Sequence, residues 1–183
     1  MKKLLLSAGV IALMISCEQK PSSVSSYPSG SDSAAATTEN SPEAKEERNK
    51  QTALNSVSTI SQDVDAAFKD VSPDAVDYMD GSMPPQKNVD SVKTMIKGFI
   101  ASFPDYKGEN LVAVADGDHV FVYGDWSGTF KKDWMGMKAT GKTFKVKDVD
   151  IFKFNDQGKI IEHRSIMPWE TMMKQVGAVD PKK

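Results

Sequence analysis

Asp148 and Asp150 stand two apart in Lys147-Asp148-Val149-Asp150-Ile151, and His163 follows in the next β-branched stretch. Two carboxyls at that spacing share one face of an extended strand, where burial and mutual repulsion raise a carboxyl pKa into the range useful for proton transfer. Asp150, flanked by Val149 and Ile151, is the better placed of the two, although acids on a lysine-rich strand commonly face water. His163 alternates with Ser165 and Met167, so a cavity on that side would set an imidazole against a ligand as a base or an orienting group. Asp150 and His163 are therefore the candidate acid/base residues. His119 is the only other histidine, and neither has neighbouring ligands at the spacing of a zinc or iron site, so no metal and no cofactor is expected. Gly136-Met137-Lys138-Ala139-Thr140-Gly141-Lys142-Thr143 formally fits the phosphate-loop pattern. A phosphate loop opens a helix, whereas here Phe144-Lys145-Val146-Lys147 opens a strand, so the segment reads as a turn.

A second set of residues suits an apolar guest. Tyr78, Tyr123, Trp126, Trp134, Met167 and Trp169 are candidate lining, since thioethers and aromatic rings adapt to ligands of variable shape. Trp134 lies between two predicted strands and Trp169 starts the last predicted helix, positions that would frame a pocket mouth.

The N-terminus carries chemistry of another kind. Lys2 and Lys3, the apolar run Leu4 to Ile15 and the closing Met14-Ile15-Ser16-Cys17 have the three-part form of a secretory signal, with an apolar run too short for the roughly 20 residues a membrane span needs. The closing box resembles that of bacterial lipoproteins, which implies a diacylglyceryl group on the Cys17 sulfur, cleavage before Cys17 and acylation of the new amino group. Cys17 is the single cysteine, so the exported chain forms no internal disulfide and relies on its core. Two or more acyl chains anchor firmly where one does not. Loss of Lys2 and Lys3 takes the formal charge from −2 to more negative values, which argues against a nucleic-acid partner.

The elements that must position these groups follow from composition and period. Residues 1–16 are the signal, 17–48 a lipidated linker rich in Ser, Thr, Ala, Pro and Glu that cannot offset its ordering entropy, and 49–180 one domain. Ser41-Pro42-Glu43 is a helix start, and Leu54, Val57, Ile60, Val64, Ala67 and Val71 make one apolar stripe. Ser72-Pro73-Asp74 repeats the start signal and predicts a short second helix carrying Val76, Tyr78 and Met79. Asn88 caps a third, whose buried face runs from Val92 to Phe103. After Pro104 the period falls to about 2, and Leu111–Ala115, His119–Phe130, Phe144–Phe154 and Lys159–Ile166 are predicted strands. In the third of these, an apparent change of apolar parity predicts a bulge near Asp148. Pro168 starts a final helix that Gly177 stops. Helices followed by an antiparallel sheet define an α+β domain.

Ala101-Ser102-Phe103-Pro104-Asp105, Leu111-Val112-Ala113, Trp126-Ser127-Gly128-Thr129-Phe130, Gly136 to Lys142, and Gly158-Lys159-Ile160-Ile161-Glu162-His163 with Gln175-Val176-Gly177 resemble, in order and spacing, the SnoaL-like polyketide (ester) cyclase family. The resemblance implies a nuclear transport factor 2-like cone, a curved sheet wrapped on helices around an apolar pocket. It also implies an acid/base aspartate between the last strand and the final helix, and a histidine on the second strand. This chain has Pro168 and Ser127 at those positions. Proline holds no titratable proton.

Three readings follow. The first is a lipid-anchored protein of the bacterial envelope, periplasmic or surface-facing, that binds a small apolar molecule without the family's usual aspartate. The second is an enzyme of cyclase, isomerase or hydrolase type using Asp150 or His163. The third is a structural module that forms a homodimer through an exposed sheet face.

Overall fold

The structure is a computed structural model that describes residues 41–178. The signal, Cys17 and most of the linker lie outside the described residues. Helix α1 runs Pro42–Thr59, capped by the Ser41 hydroxyl accepting from the Ala44 amide. Residues 42–48, assigned to the linker by composition, thus form the first turns of the domain's helix. The apolar stripe does not continue as one helix. The turn after Ile60 ends α1, and the Asp63 carboxylate caps the short α2, Val64–Ala67, by accepting from the Ala66 amide at 3.0 Å. Asp competes with the helical ladder for backbone donors, so it starts a helix more readily than it continues one.

The predicted second helix is a strand. β1, Val71–Asp77, pairs in parallel with β5, Ile160–Ser165, through Val76↔Glu162 and Asp77↔His163. Pro73 falls where that register is irregular, on an edge strand, one of the few sheet positions that tolerate a missing N–H. Pairing with β5 overrides the local helix-start signal. Helix α3, Val89–Ser102, begins at Asn88 as its sequence predicts. β2, Lys107–Asp116, β3, His119–Thr129, and β4, Thr143–Phe154, follow, then α4, Trp169–Val176, which ends on Gly177 in the left-handed conformation. The sheet order is β1-β5-β4-β3-β2, antiparallel except for β1. The curved, unclosed sheet and its covering helices make the α+β cone.

β4 carries no bulge at Asp148. Its register with β3 is unbroken from Thr143 to Lys153, and Phe144, Val146, Asp148, Asp150, Phe152 and Phe154 are all buried on one face. The apparent parity change comes from two acids standing in the core-facing file where apolar residues are usual. Irregularity lies further on, between Lys153 and Phe154, where β4 meets β5. The inner face of β3 supplies Val120, Val122 and Trp126 to the same core, which α1 closes with Ala53 and Val57 and α4 with Met172 and Val176. The outer face leaves Val112, Val114, Phe121 and Tyr123 exposed.

Gly124 faces Asp148 across β3 and β4, and a Cβ there would lie 2.6 Å from Leu111 Cδ2 and 3.4 Å from the Trp126 indole nitrogen. Gly124→Ala should therefore cost about 1–3 kcal/mol through overpacking, read as a lower denaturant midpoint at unchanged slope. An unchanged midpoint would mean that Leu111 yields freely.

Candidate functional site: a cavity with an acidic end

Between the inner face of the sheet and helices α1 and α3 lies a cavity of about 190 Å³. Val57, Val92, Ile96, Phe99, Phe152 and Trp126 give it an apolar wall, and Asp77, Asp148, Asp150, His163 and Ser165 gather at one end. Each polar group has a distinct origin. Asp148 and Asp150 project inward because β4 is regular. His163 and Ser165 project inward from β5, and Asp77 arrives on β1 beside His163.

His163 lies between two carboxylates. With both ring nitrogens protonated, Nδ1–H donates to Asp77 Oδ2 at 3.0 Å and Nε2–H donates to Asp150 Oδ1 at 3.2 Å. Burial disfavours the charged ring, but the hydrogen bonds and attraction of Asp150 and Asp77 outweigh it and raise the His163 pKa to about 10. The ring also packs on Phe152, with centroids 4.9 Å apart. Asp77 answers in the opposite sense. Burial pushes its pKa up, yet the His163 bond and charge, with the Met79 amide donating to Oδ1 at 2.8 Å, bring it below the ordinary carboxylate value.

Asp148 behaves differently. Burial first, then the Asp150 charge, raises its pKa to about 6, although the Ser165 hydroxyl and the Val149 amide each donate to it at 2.7 Å. Asp148 thus exchanges a proton near neutral pH while His163 keeps its own. Two polar atoms in the wall are fully buried and have no partner, Asp150 Oδ2 and Trp126 Nε1. The Tyr106 ring stacks on Trp126 at 5.2 Å, and burial together with the Asp150 and Asp148 charges holds its hydroxyl protonated.

The candidate residues fall into two groups. Asp150, His163, Trp126 and Met167 line the cavity. Tyr78, Tyr123, Trp134 and Trp169 are not among its walls. Tyr78 lies beneath the Arg164 guanidinium at 3.8 Å, and Tyr123 is on the outer sheet face near Lys147, because β3 alternation sends odd positions outward. Trp134 and Trp169 meet edge to face at 5.3 Å, and Trp134 also meets Phe99 edge to face at 5.5 Å. His119 pairs with Asp118 at the β2–β3 turn. Of the Gly136–Thr143 segment, residues 136–142 form a loop with Gly136 and Gly141 at positive φ, and Thr143 opens β4. Among the described residues no group of three His, Cys, Asp or Glu side chains is arranged to hold a metal ion. Asp77 escapes the sequence because the stretch around it carries helix signals, and Ser165 escapes because only the register identifies its acceptor.

The SnoaL-like polyketide cyclase family matches residues 51–176, and the chain belongs to that family. Solved structures agree on the fold. AclR, a proposed hydroxylase from Streptomyces galilaeus, is 26% identical over 72% of this chain and 82% of its own, with a TM-score of 0.62. A proposed SnoaL-like polyketide cyclase from Jannaschia sp. CCS1 is 21% identical over 74% of this chain and 95% of its own, with a TM-score of 0.65. IdmH, a proposed polyketide cyclase from Streptomyces antibioticus, is 23% identical over 70% and 98%, with a TM-score of 0.59. No curated protein matches the sequence. These neighbours carry the nuclear transport factor 2-like cone, which hosts more than one activity, so the chemistry must be argued from the site.

Proposed function

We propose that the domain catalyses proton transfer on a small, mostly apolar carbonyl compound, with Asp148 as the proton carrier. One observation carries this reading: a carboxyl whose pKa is raised to about 6 sits in the wall of an otherwise apolar cavity. Asp148 takes a proton from the carbon beside the carbonyl, and the electron pair moves onto the carbonyl oxygen. The Trp126 indole N–H, without a partner in the wall, is the donor that oxygen would meet. Return of the proton elsewhere gives isomerisation, and attack of the enolate carbon on a second carbonyl gives ring closure. His163 cannot serve as the base while both nitrogens donate to carboxylates; it holds Asp150 in place. Pro168, at the start of α4, supplies no proton, which leaves the β4 acids to do so. The cavity volume limits the substrate to about one ring, since an apolar cavity of roughly 150 Å³ accommodates benzene.

The test is deuterium uptake at the α-carbon of small cyclic ketones in D2O, followed by NMR. The expected result is protein-dependent exchange that rises through pH 6. Exchange no faster than in buffer across the panel would leave a binding module for an apolar guest, a reading favoured by the apolar wall and needing no acid.

We further infer that the protein is held at a bacterial envelope membrane by lipid on Cys17. The charged start, apolar run and cysteine box support it. Cys17→Ser should move the protein from the membrane fraction to the soluble fraction and abolish labelling by a palmitate analogue; retention in the membrane with label lost would assign the anchoring to something else.

A further inference from the structure

The charged groups in the cavity wall are Asp77 on β1, Asp148 and Asp150 on β4, and His163 on β5. No lysine or arginine joins them. α1 contributes Ser56 and apolar side chains, α3 contributes apolar side chains alone, and Ser165 and Tyr106 complete the polar end. The single cation is already committed, because each of its two N–H groups is donated to a carboxylate. Three carboxyls against one imidazolium leave the acidic end net negative in a setting where charge is poorly screened.

Asp150 shows where that charge is unanswered. The residue is 9% exposed, its Oδ1 takes the His163 bond, and its Oδ2 is buried with no donor. A buried carboxylate oxygen without a donor is costly, and a donor brought by a ligand would relieve it. The rest of the wall includes the rings of Phe99, Trp126 and Phe152, the last packed on His163, surfaces that accept an apolar body and favour a neighbouring cation.

We propose that the guest of this cavity carries a protonated amine, received by Asp150 Oδ2 and backed by Asp77 and Asp148, with its apolar body along the aromatic wall. This rests on the proposed function for its cavity and adds the substrate class, an amine-bearing carbonyl compound. An anionic substrate is excluded by the same charge balance. The ammonium also acts on its neighbour: a cation beside Asp148 favours the ionised carboxyl, so binding expels the proton from the base that must be empty to act.

The test compares benzylammonium, benzyl alcohol and benzoate, which share one ring and differ in charge, binding to the full-length chain by calorimetry at pH 7.5. Benzylammonium should bind about tenfold or more tightly than benzyl alcohol, as expected of a charge-assisted bond over a neutral one, and benzoate should not bind measurably. In Asp150→Asn the affinities for benzylammonium and benzyl alcohol should converge to within about twofold, benzyl alcohol binding showing that the variant is folded. Near pH 6, wild-type titrations in two buffers of different ionisation heat should report proton release on benzylammonium binding and none on benzyl alcohol binding. Binding of all three without an ammonium preference overturns this inference and leaves the cavity reading intact, as does a tenfold preference that survives in Asp150→Asn. Binding of none of the three overturns both.

Discussion

Asp148→Asn should abolish proton transfer and stabilise the fold. The loss of exchange should be about 10² to 10⁴-fold, the contribution ordinary for a positioned acid or base. The gain in stability follows from the same environment. The folded pKa of Asp148, about 6, lies above its ordinary value of 3.8, so the fold favours the protonated acid. The stability contributed by this group is fully present below pH 3.8 and is lost as pH rises towards about 6. Asparagine stays neutral and avoids that loss. The variant should therefore match the wild type in acid and exceed it by about 2 to 3 kcal/mol above pH 7, the free-energy equivalent of the shift. Denaturant unfolding across pH 4 to 8 measures the difference. A variant that loses activity and is also less stable above pH 7 would make Asp148 a structural partner of Ser165 and no base.

His163→Ala should have the opposite effect. It strips the shared donor from two buried carboxylates, and breaking a buried pair from one side costs about 3 kcal/mol or more. The His163 pKa is raised from 6.5 to about 10, so its contribution is complete below pH 6.5 and fades as pH climbs to 10. The Asp77 pKa is lowered from 3.8, so its contribution is complete above pH 3.8 and fades in acid. The penalty of His163→Ala should thus be greatest between those two ordinary values, and adding Asp77→Asn should recover part of it. A penalty independent of pH would point to lost packing on Phe152 and not to the charges.

These two residues also show how far the sequence reaches. The α+β class, the caps at Ser41 and Asn88, the β3 alternation and the final helix stopped by Gly177 are local signals, and the structure keeps them. Asp150 is legible as a candidate because it is a titratable residue between Val149 and Ile151, and His163 because it alternates with Ser165 and Met167 along its strand. Their meeting is not legible, since it depends on the register of β4 with β5. Asp77 is hidden more deeply. The Ser72-Pro73-Asp74 signal points to a helix, and only a parallel partner from the far end of the chain makes the segment extended. The aromatic candidates divide for a related reason: residue type indicates an affinity for apolar surroundings, whereas parity and neighbours decide whether Tyr123 or Trp126 meets the cavity.

The parallel β1–β5 pair sets an order of events for the growing chain. Val71 must wait for Ile160, so the edge strand that brings Asp77 emerges from the ribosome long before its partner exists. Until then Asp77 has no imidazole to meet, and a parallel closure across so long a loop is intrinsically slow. The acidic end is consequently among the last parts of the molecule to assemble, and a nascent chain holds no preformed centre before the fold is closed.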